Sequence, residues 1–374
     1  MRPKVAIFYT HFPHYRQAVF DSILNDSSLD VEIFYDYQGT DNTIVSGTAI
    51  KGHKNNKTFK FLKFYFEFNS IFSAFSKKYD YFIFLGNPYV LSFWISLLVL
   101  KIQRKKTAMW THGWYKTEPN LKDYIRNFFY SLSDRLFLYN NRSKEIGINY
   151  GFYPDNISVI FNSLDYDKQK KCRDEGRSKK VRNFLSIPSK DYFLFVGRLI
   201  DSANIDFIID ALDDFNLHNK SIDLLIVGDG PNKKNLQKIS IDKNYVIFLD
   251  AIYHEEELST IFMNAKAVIS PNKVGLLAMH SLAYGCPVIT HSDMNFQMPE
   301  AEAIKHRKTG YLFKKGCKQS LIEMMKLSIK DSNDSFIRQE IFNNCIEVIE
   351  LNYTPYFQAS VIRDSIFKDL YNES

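Results

Sequence analysis

The residues best suited to chemistry fall where apolar runs end. The segment SPNKVGLLAMHSLAYGCPVITH, residues 270–291, opens like a phosphate-binding turn, with a strand end, a loop containing Gly275, and an amphipathic helix. The backbone N–H groups and positive dipole end of such a helix start attract anions, and Gly275 lets a ligand approach the backbone closely. Asn272 and His280 occupy this loop and helix where a nucleotide site could use carboxylates. Asn272 hydrogen-bonds without charge, and a neutral histidine ring offers one donor and one acceptor. A second cluster lies in MWTHGWY, where His112 ends an apolar strand and Gly113 permits a sharp turn. A third is THFPHYR, which puts His14 and Arg16 at the first strand-to-helix turn. Each cluster also has a plain structural reading, His112 as a strand cap and His14 as a ligand-free helix start.

The elements that must hold these residues read as strands and helices in alternation. Short apolar or aromatic runs at 3–9, 30–35, 79–86, 107–112, 134–140 and 156–162 are separated, in several places, by segments of helical length. The second half repeats the scheme with runs at 192–199, 222–230, 245–250, 265–271 and 286–291, and then ends in helical segments. Continuous apolar strands divided by helices predict parallel sheets covered on both faces. The expected fold is therefore α/β, with two doubly wound Rossmann-like domains. Residues 1–167 form the first domain, 168–189 a basic linker, 190–350 the second domain, and 351–374 a terminal helix packing back toward the first. Ligands of such sheets bind beyond the carboxyl ends of the strands. That rule selects residues 10–16, 86–88 and 111–114 in the first domain, and 197–199, 228–231 and 271–275 in the second.

With FVGRL, LLIVGDGP and AVISPNKVGLLAMHSLAYGCPVI in this order, and VIFNSLD and PEAEAIKHRKTGYLF around them, the chain resembles retaining GT-B glycosyltransferases of family GT4. The likeness is close over roughly residues 190–315 and holds only in outline before them; several linked motifs are far more specific than one glycine pattern. It implies two domains facing across a cleft, a nucleotide-sugar donor on the second, and a glycan or lipid-linked glycan acceptor on the first. It places Gly197, Arg198, Gly230, Lys273, Gly275, Leu276 and His280 at the donor, His112 and Asn272 near the chemistry, and His14 and Arg16 toward the acceptor. Departures from the family pattern are Asn272 and His280 in place of its two glutamates, and Ala203 in place of a lysine that Lys273 could replace. Transfer by such enzymes needs no obligatory protein nucleophile. No metal is expected if Arg198, Lys273 and the helix start carry the diphosphate charge. The resemblance is to transferases of bacterial surface polysaccharide, O-antigen or capsule. A donor-binding subunit without turnover, or a nucleotide-sugar epimerase or hydrolase, remains open.

Composition bounds these readings. A chain of 374 residues, 45% hydrophobic and 24% charged, can bury two cores. The four cysteines form no CxxC pair, which favours reduced thiols in a cytoplasmic protein, and the start of the chain lacks the pattern of a secretory signal. A net charge of +6 without basic and aromatic residues on one recognisable module gives no nucleic-acid footprint. PYVLSFWISLLVL, about 13 residues, is too short to cross a bilayer. Followed by KIQRKK, and with FKFLKFYFEF in the same domain, it reads either as a sheet-covering helix or as a contact with the inner face of the cytoplasmic membrane.

Overall fold

The computed structural model describes residues 2–36, 53–118, 121–176, 191–219 and 221–371. They divide into two compact units, one of residues 1–165 with 354–374 and one of residues 166–353.

Unit 1 runs β1 (Lys4–His11), α1 (Gln17–Leu24), β2 (Asp30–Asp36), β3 (His53–Asn55), β4 (Phe59–Phe61), β5 (Phe64–Phe66), α2 (Phe68–Phe75), β6 (Tyr81–Leu85), α3 (Leu91–Ile102), β7 (Lys106–Thr111), α4 (Leu121–Tyr130), β8 (Arg135–Leu138), α5 (Asn141–Asn149) and β9 (Ile157–Val159). Its parallel sheet has the order β3-β2-β1-β6-β7-β8-β9, while β4 and β5 form a separate antiparallel hairpin. Strands such as β1 and β6 are buried along nearly their whole length, which is why they are continuous apolar runs rather than alternating ones.

Unit 2 runs α6 (Tyr166–Gly176), β10 (Tyr192–Val196), α7 (Ile205–His218), β11 (Asp223–Val227), α8 (Lys233–Ile239), β12 (Val246–Leu249), α9 (Glu255–Asn264), β13 (Ala267–Ser270), α10 (Leu276–Ala283), β14 (Val288–His291), β15 (Gly310–Phe313), α11 (Lys318–Asn333) and α12 (Ser335–Asn352). Its sheet order, β12-β11-β10-β13-β14-β15, reverses direction between β10 and β13. In an open parallel sheet that switch point is where a ligand crevice forms.

One span differs from the sequence reading. Residues 168–176, expected in a linker, belong to α6, whose Tyr166, Gln169, Cys172 and Arg173 are buried at helical spacing. The lysines between them hide that stripe from a composition-based reading. Arg173 donates to the carbonyl of Ala283 at 2.9 Å, putting a cation on the last turn of α10. The rest of the expected linker, 177–189, lies outside the described residues.

The last helix, α13 (Pro355–Tyr371), belongs to unit 1. Its Ala359, Ile362 and Ile366 join the core formed by β1, β2 and α1. Asp369 accepts from the Arg135 guanidinium of β8 through both carboxylate oxygens and from the Tyr81 hydroxyl of β6 at 2.6 Å.

Candidate functional site

In unit 2 the turns after β10, β11 and β13 are tied to one another at the carboxyl edge of the sheet. Leu199 N donates to Asp229 O at 2.9 Å, and Asn232 N donates to Leu199 O at 2.9 Å. Asn272 Nδ2 reaches the Ser202 carbonyl at 2.7 Å, joining the turn after β13 to the turn after β10. Gln297 braces the same loop, accepting from Val274 N at 2.9 Å and donating to Thr290 Oγ1 at 2.9 Å.

The glycines here do different jobs. Gly197, Gly228 and Gly230 have φ of 154°, 153° and 156°. A Cβ on Gly228 would lie 2.0 Å from the Gly197 carbonyl oxygen, and one on Gly230 would lie 2.4 Å from that of Leu199. Gly230, expected to serve the donor, is thus already required by the packing of two turns. Gly275 differs, since a Cβ there would come no closer than 3.7 Å, to Met298. It is the N-cap of α10, no side chain caps that helix start, and Leu276 opens it. Arg198 and Lys273 are exposed nearby on these turns and make no ion pair among the described residues. An uncapped helix start and exposed cations are features that attract anions.

His280, on the second turn of α10, has its Nε2 at 3.0 Å from Glu255 Oε1, and Tyr284 donates its hydroxyl to the same oxygen. Burial alone would raise the Glu255 carboxyl, but these hydrogen bonds outweigh it and hold the group below its usual range. An ionised carboxylate only accepts, so His280 donates from Nε2. Its ring lies parallel to those of Phe262 and Tyr284. Position 280 lacks a carboxylate, yet one stands beside it, supplied by α9. Sequence reasoning missed Glu255 because it opens a run of three glutamates that reads as ordinary acid at a helix start.

In unit 1, His112 follows β7, and Gly113 has φ 67°. A Cβ on Gly113 would fall 2.2 Å from Ser143 Oγ, which donates to the His112 carbonyl at 3.0 Å and accepts from Trp114 N at 2.8 Å. The backbone around His112 is therefore clamped. Burial, and secondarily the Arg16 charge, push its imidazole down to about 4, leaving it neutral near pH 7. Its Nδ1 is buried with no hydrogen-bond partner among the described residues. Arg16, expected to reach an acceptor or phosphate, is instead enclosed at 3% exposure. Its Nη2 donates to Tyr139 at 2.7 Å, and its guanidinium lies over the rings of Tyr139 and Trp110. His14 is exposed beside Tyr15. Among the described residues no group of three or more His, Cys, Asp or Glu is placed to hold a metal.

Known proteins locate this architecture. Residues 177–343 match the family model of glycosyl transferases group 1. A glycogen synthase of Flavobacterium johnsoniae is 26% identical over 176 residues, covering 43% of this chain and 37% of that protein. The chain thus spans little more than a third of that relative. Among solved structures, a glycosyltransferase from Rickettsia africae superposes with a TM-score of 0.74 at 14% identity, covering 100% of both chains. The lipopolysaccharide outer core galactosyltransferase WaaB gives 0.69 at 15% identity, covering 98% of this chain and 100% of its own. HepE of Anabaena, solved with UDP, gives 0.69 at 14%, covering 98% and 99%. The fold is GT-B, with two Rossmann-like halves, and the matches support a glycosyltransferase.

Proposed function

We propose that this GT-B chain is a retaining glycosyltransferase that moves a sugar from a nucleotide-sugar donor to a glycan or lipid-linked glycan. The product belongs to bacterial surface polysaccharide, O-antigen or capsule, and is made at the inner face of the cytoplasmic membrane. The observation that carries the reading is the uncapped start of α10 at Gly275, flanked by exposed Arg198 and Lys273, on the edge of a sheet whose family match is to glycosyl transferases. HepE, with the same fold, was solved with UDP-glucose, which supports a nucleoside diphosphate sugar as the class of donor.

On this reading the acceptor hydroxyl oxygen bonds to the anomeric carbon, the bond from that carbon to the diphosphate breaks, and the hydroxyl proton passes to the leaving phosphate on the same face. The protein orients the partners and stabilises the growing negative charge through Arg198, Lys273 and the helix start, with no metal. His112, neutral and clamped, hydrogen-bonds the transferred sugar. Asn272 keeps the donor loop on the turn after β10, burial and then the Arg16 charge keep His112 neutral, and exposed His14 meets the acceptor.

A thermal-shift screen of nucleotide sugars tests donor binding, because a ligand at a hundred times its Kd stabilises the folded state by about 2.7 kcal/mol. One donor class should raise Tm, and nucleoside diphosphate should be released only when an acceptor lipid extract is added. His112→Ala should lower kcat at least tenfold while leaving the donor shift in place. Donor consumption without acceptor points instead to an epimerase or hydrolase. A shift with no turnover points to a binding subunit, and no shift with any nucleotide sugar removes the reading.

A further inference from the structure

Three helices of unit 1 carry an apolar stripe outward in addition to the apolar residues they bury, such as Phe93, Leu97 and Leu100 of α3 and Phe129 of α4. On α2 the exposed residues include Phe68, Phe72 and Phe75, while Ser70 is fully buried. On α3 they are Leu91, Ile95, Leu98 and Ile102, the last 83% exposed, while Ser92 and Ser96 are fully buried. On α4 they are Leu121, Tyr124, Ile125 and Phe128, while Asp123 is buried. Spacings of three, four and seven put each set on one helix face. A helix that only covers a sheet shows polar residues on that face. The β4–β5 hairpin extends the pattern, with Phe61 and Leu62 at its turn, the latter 77% exposed.

These stripes form one surface. Phe66 of the hairpin packs on Phe68 of α2 at 4.9 Å, Phe64 on Tyr89 ahead of α3 at 6.2 Å, and Trp94 of α3 on Phe128 of α4 at 6.0 Å. Positive charge is threaded through it. Residues 57–78 contain five lysines, of which Lys78 is ion-paired with Glu32 at 2.6 Å, and a single acid, Glu67, which is fully buried. Residues 88–106 contain Lys101, Arg104, Lys105 and Lys106 and no acid. No helix of the described residues is long and apolar enough to cross a membrane.

We propose that this face docks unit 1 on an anionic bilayer, with the phenylalanine and leucine side chains at the boundary of headgroups and acyl chains and the lysines on lipid phosphates. Charge decides between occupants. A second copy meeting this face through a two-fold axis would bring the same lysines together, whereas anionic lipid neutralises them. The inference names the contact surface for the membrane placement proposed above and rests on it, but it requires no sugar transfer.

The test is co-sedimentation of the full chain with phosphatidylglycerol-containing vesicles and with pure phosphatidylcholine vesicles. Binding should be at least tenfold tighter to the anionic vesicles and should weaken as salt rises. Ile95→Glu with Leu98→Glu should reduce it at least tenfold, as should Lys60→Glu with Lys63→Glu, while the nucleotide-sugar thermal shift is unchanged. If the α3 variant does not fold, Phe61→Glu with Leu62→Glu on the hairpin turn carries the same expectation. Absent binding, or equal binding by wild type and variants, overturns the proposal. So does a wild-type dimer in sedimentation velocity that these substitutions dissociate, because a second copy then covers the face. Vesicle binding without any donor shift leaves the docking surface standing and removes the transferase reading instead.

Discussion

The Glu255 carboxylate accepts from both His280 and Tyr284, so the His280 ring has a fixed proton and a fixed plane before any ligand arrives. A ring held this way suits binding more than proton transfer. On the proposed reading, His280→Ala should raise the donor KM by about five- to thirtyfold, the value of roughly 1–2 kcal/mol for one hydrogen bond, with little change in kcat. Glu255→Gln should act in the same direction by a smaller factor, since the ring loses its anchor but not its place. Initial rates at varied donor concentration check both, and a fall in kcat at constant KM would move the pair into the chemistry. Sequence drew attention to positions 272 and 280 because both lie in one loop and helix with recognisable neighbours. It was blind to Glu255, a partner 25 positions away on another helix, because only the folded sheet brings α9 and α10 side by side.

At the scale of elements, strand-end turns carry the candidate site, and their glycines separate folding from binding. Gly230→Ala places a Cβ against the Leu199 carbonyl at a φ that side chains rarely adopt. It should lower unfolding free energy by about 1–3 kcal/mol with or without donor. Gly275→Val has room at the Cβ position, so the protein should keep its Tm and lose the donor-induced shift. Thermal melts of both variants with and without nucleotide sugar make the comparison. Most strands were legible as apolar runs because burial on both faces removes alternation. The exceptions follow the same physics. His53–Asn55 is a polar edge strand with no apolar run to read, the β4–β5 hairpin lies in the aromatic run FKFLKFYFEF without a Gly, Pro, Asn or Asp to mark its turn, and Gly310–Phe313 is only four residues directly after a turn. The charged helix α6 passed for a linker because its buried positions are polar or small as often as apolar.

For the whole molecule, the path of the chain matters as much as its sheets. Asp369 is the acidic partner of Arg135, whose side chain is 3% exposed. Asp369→Ala leaves that cation buried and unpaired, which should destabilise unit 1 by about 3–5 kcal/mol. Urea unfolding should then show unit 1 melting ahead of unit 2, where tryptophan fluorescence reports unit 1 because Trp94, Trp110 and Trp114 all lie within it. The order of synthesis gives the same contact a second meaning. Domains usually mature in the order they leave the ribosome, but here unit 1 waits until unit 2 has been made for α13 to supply Ala359, Ile362 and Ile366. Unit 2, complete at Tyr353, can close while its predecessor still shows bare apolar side chains. A nascent chain stalled between the two would be a substrate for chaperones through its amino-terminal half, and a truncation just after Tyr353 would cost the first domain rather than the second.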